Sequence, residues 1–426
     1  MRFVKQLMVL MVIILGLFTV TACSNSEGEG DASSDDTLTY AYWSAGSMDL
    51  APVFEKAEEI FHEKYPDTEL KQQVIPRENY WTKLRTSVGG GSGPDVFLMN
   101  GVNFEQFKNL GLIKNLQSKI EQSDEVDMSN YPKGITELYT ADDDVYGLPF
   151  YEGLLALYYN KEIFDNAGVP YPDETWTWKD TKEKGKQLSN AGEDIYGMAM
   201  YPFEGQEGLY PLIKQAGGKV INEDKTKSGF GTPETTSAIQ FMQDLINEGI
   251  MPSADILLET DAKQLFSSGR AAMYPSGTWN INLFQESLGD KVGVAVLPHN
   301  EERGYLMHGS SFVMNAKTGQ EEKAFELMKI FSGLEFQKIF AESGENVPAH
   351  VEAIDLWAKS EEAIDLTPFQ KGLEHTEPYP VSLKTTEWQE AMDEQITKAL
   401  MMKLSAEEAS KSIEKSMNKV LESEKK

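Results

Sequence analysis

Apolar side chains recur along the start of the folded region with two alternating periods. Residues 37–43 (TLTYAYW) alternate well enough to predict a first strand. Leu50, Val53, Phe54, Ala57, Ile60 and Phe61 then recur at steps of three and four, the stripe of a helix buried on one face. Ser47 or Asp49 can cap its start, and Pro66 lies past its end. Residues 69–75 predict a second strand. Residues 77–88 predict a helix with Tyr80, Leu84 and Val88 on one face. A glycine-rich loop at 89–95 leads into a buried strand at 96–99. Strands alternating with helices imply βαβ units and a mainly parallel sheet.

The alternation continues. Gly147-Leu148-Pro149-Phe150 breaks the pattern before a predicted strand at 154–160, and a helix over 177–190 precedes a strand at 196–201. Helices are predicted at 233–249 and 261–268, short strands at 271–274 and 292–297, and consecutive helices at 320–332 and 334–342. Near the end, Trp388, Met392, Ile396 and Leu400 share a helical face. Ser405 with Glu408 offers a capping box for a last helix.

The first residues follow a different logic. Arg2 and Lys5 form a short positive head before an apolar run of 14 residues at 7–20. That length suits a signal-peptide core and is short of the roughly 20 residues of a membrane span. Val20-Thr21-Ala22-Cys23 follows and resembles the lipobox of bacterial lipoproteins. The resemblance implies a signal peptide at 1–22, cleavage before Cys23 and a lipid on its sulfur. Two or three acyl chains, at about 0.8 kcal/mol per buried methylene, hold a protein on a membrane. Residues 24–36 (SNSEGEGDASSDD) have almost no apolar side chain, which predicts that 23–36 is an acylated cysteine and flexible tether with a reach of roughly 20 Å.

Charge narrows the partners. Lys and Arg total 39 against 68 Asp and Glu, a formal net charge of −29 over 426 residues, which disfavours nucleic acid and anionic lipid headgroups as partners. Arginine is scarce (Arg2, Arg77, Arg85, Arg270 and Arg303), whereas a phosphorylated ligand usually needs several cations. An uncharged or cationic ligand fits better. Cys23 is the single cysteine, so no disulfide forms within the chain.

Signatures of catalysis fail. The loop at Gly89 lacks the lysine of a phosphate loop, and Pro94 sits where a dinucleotide fingerprint needs glycine. No G-x-S-x-G elbow and no H-x-x-x-H pair occurs, and Asp142-Asp143-Asp144 lacks the spaced ligands of a calcium loop. No metal and no cofactor is implied.

What stands out is aromatic residues at element ends: Trp43 after the first strand, Tyr151 with Glu152 after Phe150, and Trp279 after Tyr274-Pro275-Ser276-Gly277-Thr278. Ligands of open α/β sheets bind at the carboxyl ends of strands. Aromatic faces suit the apolar C–H patches of sugar rings. Amides and carboxylates suit their hydroxyl rims, since each hydroxyl both donates and accepts.

The order of short motifs then resembles the extracellular solute-binding proteins of ABC importers, in the family 1 group that includes maltose-binding protein. Gly93-Pro94-Asp95-Val96-Phe97 with Met99-Asn100-Gly101, Tyr146-Gly147-Leu148-Pro149-Phe150 and Leu157-Tyr158-Tyr159-Asn160-Lys161 occur in the family's order. Trp176-Thr177-Trp178, Ala271-Ala272-Met273, Gly277-Thr278-Trp279, Val294-Ala295-Val296-Leu297-Pro298 and Gly309-Ser310-Ser311-Phe312 complete it.

The resemblance implies an α/β, two-lobe periplasmic-binding-protein-like fold of type II. Each lobe would be a mainly parallel sheet flanked by helices, with a hinge of two or three strands between lobes. Lobe I is expected at 37–148 plus 280–333 and lobe II at 149–279 plus 334–426. Carried over residue by residue, ligand contacts are expected from Trp43, Ser44, Asn100, Tyr151, Glu152, Trp279, Gly309 and Ser310. Trp279 would be the main stacking platform; Asp95 is expected to order its loop. The implied protein does no covalent chemistry. It is a lipid-anchored, extracytoplasmic subunit that binds a di- or oligosaccharide between the lobes and delivers it to membrane permease subunits, and it is a monomer by family expectation. Two alternatives remain open. One is a surface-anchored glycoside hydrolase, which needs two carboxylates about 5–9.5 Å apart. The other is a binding protein serving a sensor kinase.

Overall fold

A computed structural model describes residues 37–44, 50–201, 205, 207–360 and 364–425. The expected signal peptide, the expected lipidation site Cys23, the expected tether and the candidate caps Ser47 and Asp49 lie outside the described residues.

The first strand, Thr37–Ser44, lies parallel to Val96–Asn100, with Tyr40 opposite Val96. Between them run the helix Ala51–Lys64, the strand Glu69–Pro76 and the helix Arg77–Gly90. The helical stripes predicted from spacing are the buried faces: Val53, Phe54, Ala57 and Phe61 on one helix, Tyr80, Leu84 and Val88 on the other. Arg77–Gly90 ends at Gly91, whose φ of 78° places it in the left-handed region where glycine is favoured.

Six strands form the larger sheet, in the spatial order Val347–Pro348, Gly147–Glu152, Ser310–Met314, Val96–Asn100, Thr37–Ser44, Glu69–Pro76. Three strands form the smaller: Met273–Gly277, Leu155–Asn160, Val292–Ala295. The pairing is more mixed than the expected mainly parallel arrangement. Ser310–Met314 runs antiparallel to both its neighbours, and all pairings among the three named strands of the smaller sheet are antiparallel. The predicted strand at 196–201 is instead an extended segment. It is tied to the smaller sheet by a parallel bridge from Tyr196 to Ala271 and by the Ala199 N–H donating to Met273 O at 2.9 Å.

Gly147–Glu152, which the sequence pattern marks as a break, is a fully buried strand. Its register against Ser310–Met314 shifts: Ser311 faces Pro149 and Ser310 faces Tyr151. Proline has no N–H to give the ladder, and the bulge sits where that donor is missing.

Strand membership also moves the lobe boundaries. Residues 149–152 and 347–348 belong to the larger sheet and Val292–Ala295 to the smaller, against the expected division at 148/149, 279/280 and 333/334. The described chain therefore passes from one sheet to the other at Gly153-Leu154 and again between Ala295 and Ser310, and after Pro348 it crosses a third time, to the helix Thr367–Leu373 that packs on Leu155–Asn160 through Phe369 and Tyr158. Beneath the larger sheet, Phe54, Phe150, Phe312 and Phe331 pack ring on ring, with Phe312 and Phe331 stacked at 4.2 Å. Fully burying each contributes roughly 1.5–3 kcal/mol. The C-terminal helices Thr385–Leu400 and Ala406–Glu424 pack on each other and on Pro233–Asn247. Ser405 makes the expected capping box with Glu408.

Candidate functional site

The two sheets face a cleft of about 800 Å³, within the usual range of roughly 300–1,000 Å³ for ligand pockets. One wall is the rim of the larger sheet. Ser310 is paired with Asn100 on one side and Tyr151 on the other, so three residues distant in sequence stand in one row. Trp43 and Ser44 end the first strand beside them and also line the cleft. Asn100 doubles as a helix cap: its Oδ1 accepts the Asn103 N–H at 3.1 Å and the Asn103 Nδ2–H at 2.9 Å. Trp43 is held by aromatic neighbours, with Tyr80 edge-on at 5.2 Å, Trp81 at 5.7 Å and Tyr151 at 6.5 Å. The Arg77 guanidinium lies 5.7 Å from the Trp43 ring centre.

The opposite wall comes from the smaller sheet and the segments packed on it: Tyr201, Glu207, Tyr274, Trp279 and Asn280. Trp279 sits in the turn Thr278–Asn280, directly after the strand Met273–Gly277. The Ser276 hydroxyl donates to Glu207, and Asn280 Nδ2 donates to Ser276 Oγ at 2.8 Å. Tyr379 closes one side, its ring stacked on His308 at 4.7 Å and its hydroxyl taking a hydrogen bond from Gln389 Nε2 at 2.8 Å.

Six of the eight expected contact residues thus line one cleft: Trp43, Ser44, Asn100, Tyr151, Trp279 and Ser310. Two do not. Glu152 is fully buried, and neither carboxylate oxygen has a hydrogen-bond partner among the described residues. Successive strand residues point to opposite faces, so with Tyr151 at the cleft its neighbour is turned away. Burial alone pushes the Glu152 carboxyl well above the usual range. Gly309 supports the wall from behind: its carbonyl accepts the Tyr139 hydroxyl at 2.8 Å, and a β-carbon there would meet Ile135 at 2.3 Å. Asp95 is structural. Its carboxylate accepts the Thr39 N–H at 2.9 Å and hydroxyls of Thr39 at 2.7 Å and Thr318 at 2.6 Å.

Spacing alone missed Arg77, Trp81, Glu207, Asp261, Lys263, His308 and Tyr379. Arg77 carried a signal, as one of five arginines and the first residue of a predicted helix that follows a predicted strand. The charges in the cleft mix both signs: Arg77 and Lys263 against Glu78, Glu207 and Asp261. Burial pushes His308 down to about 3, with Arg77 adding to the shift, so its imidazole is neutral at physiological pH. Burial also pushes Glu207 up, opposed by Ser276, the Gly277 backbone, Lys263 and Arg77. No group of three or more His, Cys, Asp or Glu suited to a metal occurs among the described residues.

Two sheets joined by three crossings, with aromatic and amide side chains from both facing one cleft, define a two-lobe binding protein of the type II periplasmic class. Residues 56–365 match the family described as bacterial extracellular solute-binding protein, and the chain belongs to it. It is a solute-binding protein that works outside the cytoplasm. Among solved structures, an ABC substrate-binding protein from Listeria monocytogenes in complex with cycloalternan superposes with a TM-score of 0.83 at 26% identity, over 91% of this chain and 99% of that one. The cyclic α-maltosyl-1,6-maltose binding protein of Arthrobacter globiformis shares the fold with a TM-score of 0.77 at 22% identity, over 91% and 99%. A galactooligosaccharide-binding protein of Bacillus subtilis is 25% identical over 366 residues, 82% of each chain.

Proposed function

We propose that this protein is the lipid-anchored substrate-binding subunit of an ABC importer and that it takes a neutral di- or oligosaccharide into the cleft between its sheets. The observation that carries the reading is the cleft's lining. Trp43, Tyr151, Tyr274 and Trp279 offer ring faces, and Asn100, Asn280, Asn346 and Gln389 offer amides. A micromolar Kd corresponds to about 8 kcal/mol. Stacked rings and a few satisfied hydroxyl pairs can supply that. The sugars in the names of the similar proteins support the same class.

The protein performs no covalent chemistry in this reading. Glu152, fully buried and absent from the cleft lining, is not available as one of the two carboxylates that a glycoside hydrolase needs. Ligand binding draws the two lobes together about the crossings, and the closed monomer presents its cargo to permease subunits. Cys23, acylated after removal of residues 1–22, tethers it to the outer face of the membrane.

Calorimetric titration of the 24–426 fragment with mono-, di- and oligosaccharides tests the binding claim. Saturable binding of one class, with the sugar recovered intact, is the expected result. Turnover of the sugar moves the case to a hydrolase, and silence towards every sugar sinks the carbohydrate reading.

A further inference from the structure

The cleft holds a carboxylate whose placement goes beyond aromatic platforms and amide rims. Glu207 borders two spaces. On one side is the cleft. On the other is an apolar cavity of about 30 Å³ walled by Leu155, Met198, Met200, Phe241 and Leu297. Of the described residues lining these two spaces, Glu207 alone lines both. An apolar wall offers a carboxylate nothing, so whatever acceptor capacity its protein partners leave free can be met only from the cleft side.

The carboxylate is also set in place. Ser276 Oγ donates to Oε1, and Ser276 is itself oriented by Asn280 Nδ2 at 2.8 Å. An ionised carboxylate has about four acceptor sites; the Ser276 hydroxyl and the Gly277 backbone leave part of that capacity for a ligand. Neither Arg77 nor Lys263, the two cations lining the cleft, forms an ion pair with Glu207 among the described residues. A ligand therefore meets a largely desolvated acceptor with a fixed orientation and no salt bridge to break.

We propose that Glu207, oriented by Ser276 and Asn280, is the specificity-determining acceptor of the cleft: it takes hydroxyl donors of a neutral sugar and rejects acidic sugars. This rests on the carbohydrate reading given above. A hydroxyl donating to a buried carboxylate forms a charge-assisted hydrogen bond. A ligand carboxylate in the same place brings two like charges together where water screens them poorly. A sugar lacking the hydroxyl leaves the acceptor unpaired in the closed cleft, which is the stronger form of discrimination.

The test is calorimetric titration of the wild type, Glu207→Gln and Ser276→Ala. The probes are maltotriose, arabinotriose and galactotriose, together with the counterpart of the binding sugar whose primary alcohols are oxidised to carboxylates. Melting curves of each variant establish that it is folded. The wild type is expected to prefer the neutral sugar by at least about tenfold. Glu207→Gln is expected to weaken neutral binding by about 10- to 100-fold and to narrow the neutral-to-acidic preference towards unity. Ser276→Ala, which loosens the carboxylate and keeps its charge, is expected to weaken binding and retain the preference. A folded Glu207→Gln that binds within twofold of wild type, or that keeps the full preference, overturns the assignment and leaves the carbohydrate reading standing. A wild type that binds none of the probes overturns the carbohydrate reading and this assignment with it.

Discussion

The ring of Trp279 lies flat against the backbone of Gly277: a β-carbon built on Gly277 would stand 2.1 Å from the Trp279 Cη2 and Cζ3 atoms. Gly277 has an ordinary extended conformation, with φ of −95°. Its glycine character is demanded by the tryptophan and not by the backbone. A tryptophan that lines the cleft is thereby positioned by the absence of a side chain two residues earlier.

Gly277→Ala is accordingly expected to weaken sugar binding by tenfold or more while the fold survives, because the ring must tilt out of the cleft wall. Trp279→Ala should lose at least as much. Calorimetry, with circular dichroism as the fold control, reads both. Normal affinity in a folded Gly277→Ala would mean that Trp279 is not a contact.

Glu152 gives a stability prediction with a definite sign. Its folded-state carboxyl lies above the unfolded value, so the folded chain binds more protons than the unfolded chain between the two. Stability is expected to fall as pH rises from about 4.3 through the folded-state value, and the neutral isostere removes that loss. Glu152→Gln should therefore melt higher than wild type at pH 7.5, with the difference shrinking at pH 4.5. Thermal melts across that range check it, and an equal or lower melting temperature at pH 7.5 contradicts the account.

Acidification should weaken ligand binding through Glu207 and not through His308. His308 is pushed down to about 3 and stays neutral over the working range. Glu207, raised by burial, gains a proton above the usual carboxylate range and then loses acceptor capacity. Kd measured from pH 8 to pH 4.5 should rise on the acid side in the wild type and in His308→Gln, and stay flat in Glu207→Gln.

Asp95 separates fold from function. With three donors on its carboxylate from Thr39 and Thr318, Asp95→Ala should cost about 1.5–3 kcal/mol in a denaturant titration. Sugar affinity of the folded variant should remain within twofold.

Anchoring is tested at Cys23. The full-length wild type, expressed with its first 22 residues, should partition into the detergent phase, and Cys23→Ala into the aqueous phase. Equal partitioning removes the lipid anchor from the reading.

Strand ends were the legible part of the site. Trp43, Asn100 and Trp279 each stand at or just past the end of a strand whose apolar run announces it, and all three line the cleft. Glu152 misled because adjacency in sequence puts alternate strand residues on opposite faces, and nothing in the motif says which of Tyr151 and Glu152 faces the ligand. Glu207 and Gln389 come from segments with no strand-end signal, while His308 and Tyr379 directly follow two short paired strands, Tyr305–Met307 and Thr376–Pro378, that the apolar pattern does not predict. The fold's α/β character followed from alternating periods. The crossing points did not, because Pro149 disguised a buried strand as a turn and Val292–Ala295 looks alike in either sheet.

The three crossings also set a timetable. The larger sheet begins with Thr37 and is complete only when Val347–Pro348 has been added at its far edge. Its central pairings join Val96–Asn100 to Ser310–Met314, across more than 200 residues of intervening chain. Loop-closure entropy must be met before such pairings return anything, which makes assembly slow for a chain of this size. For a chain emerging amino end first, the larger sheet therefore stays incomplete, its central and far-edge strands still missing, until about four fifths of the sequence is present.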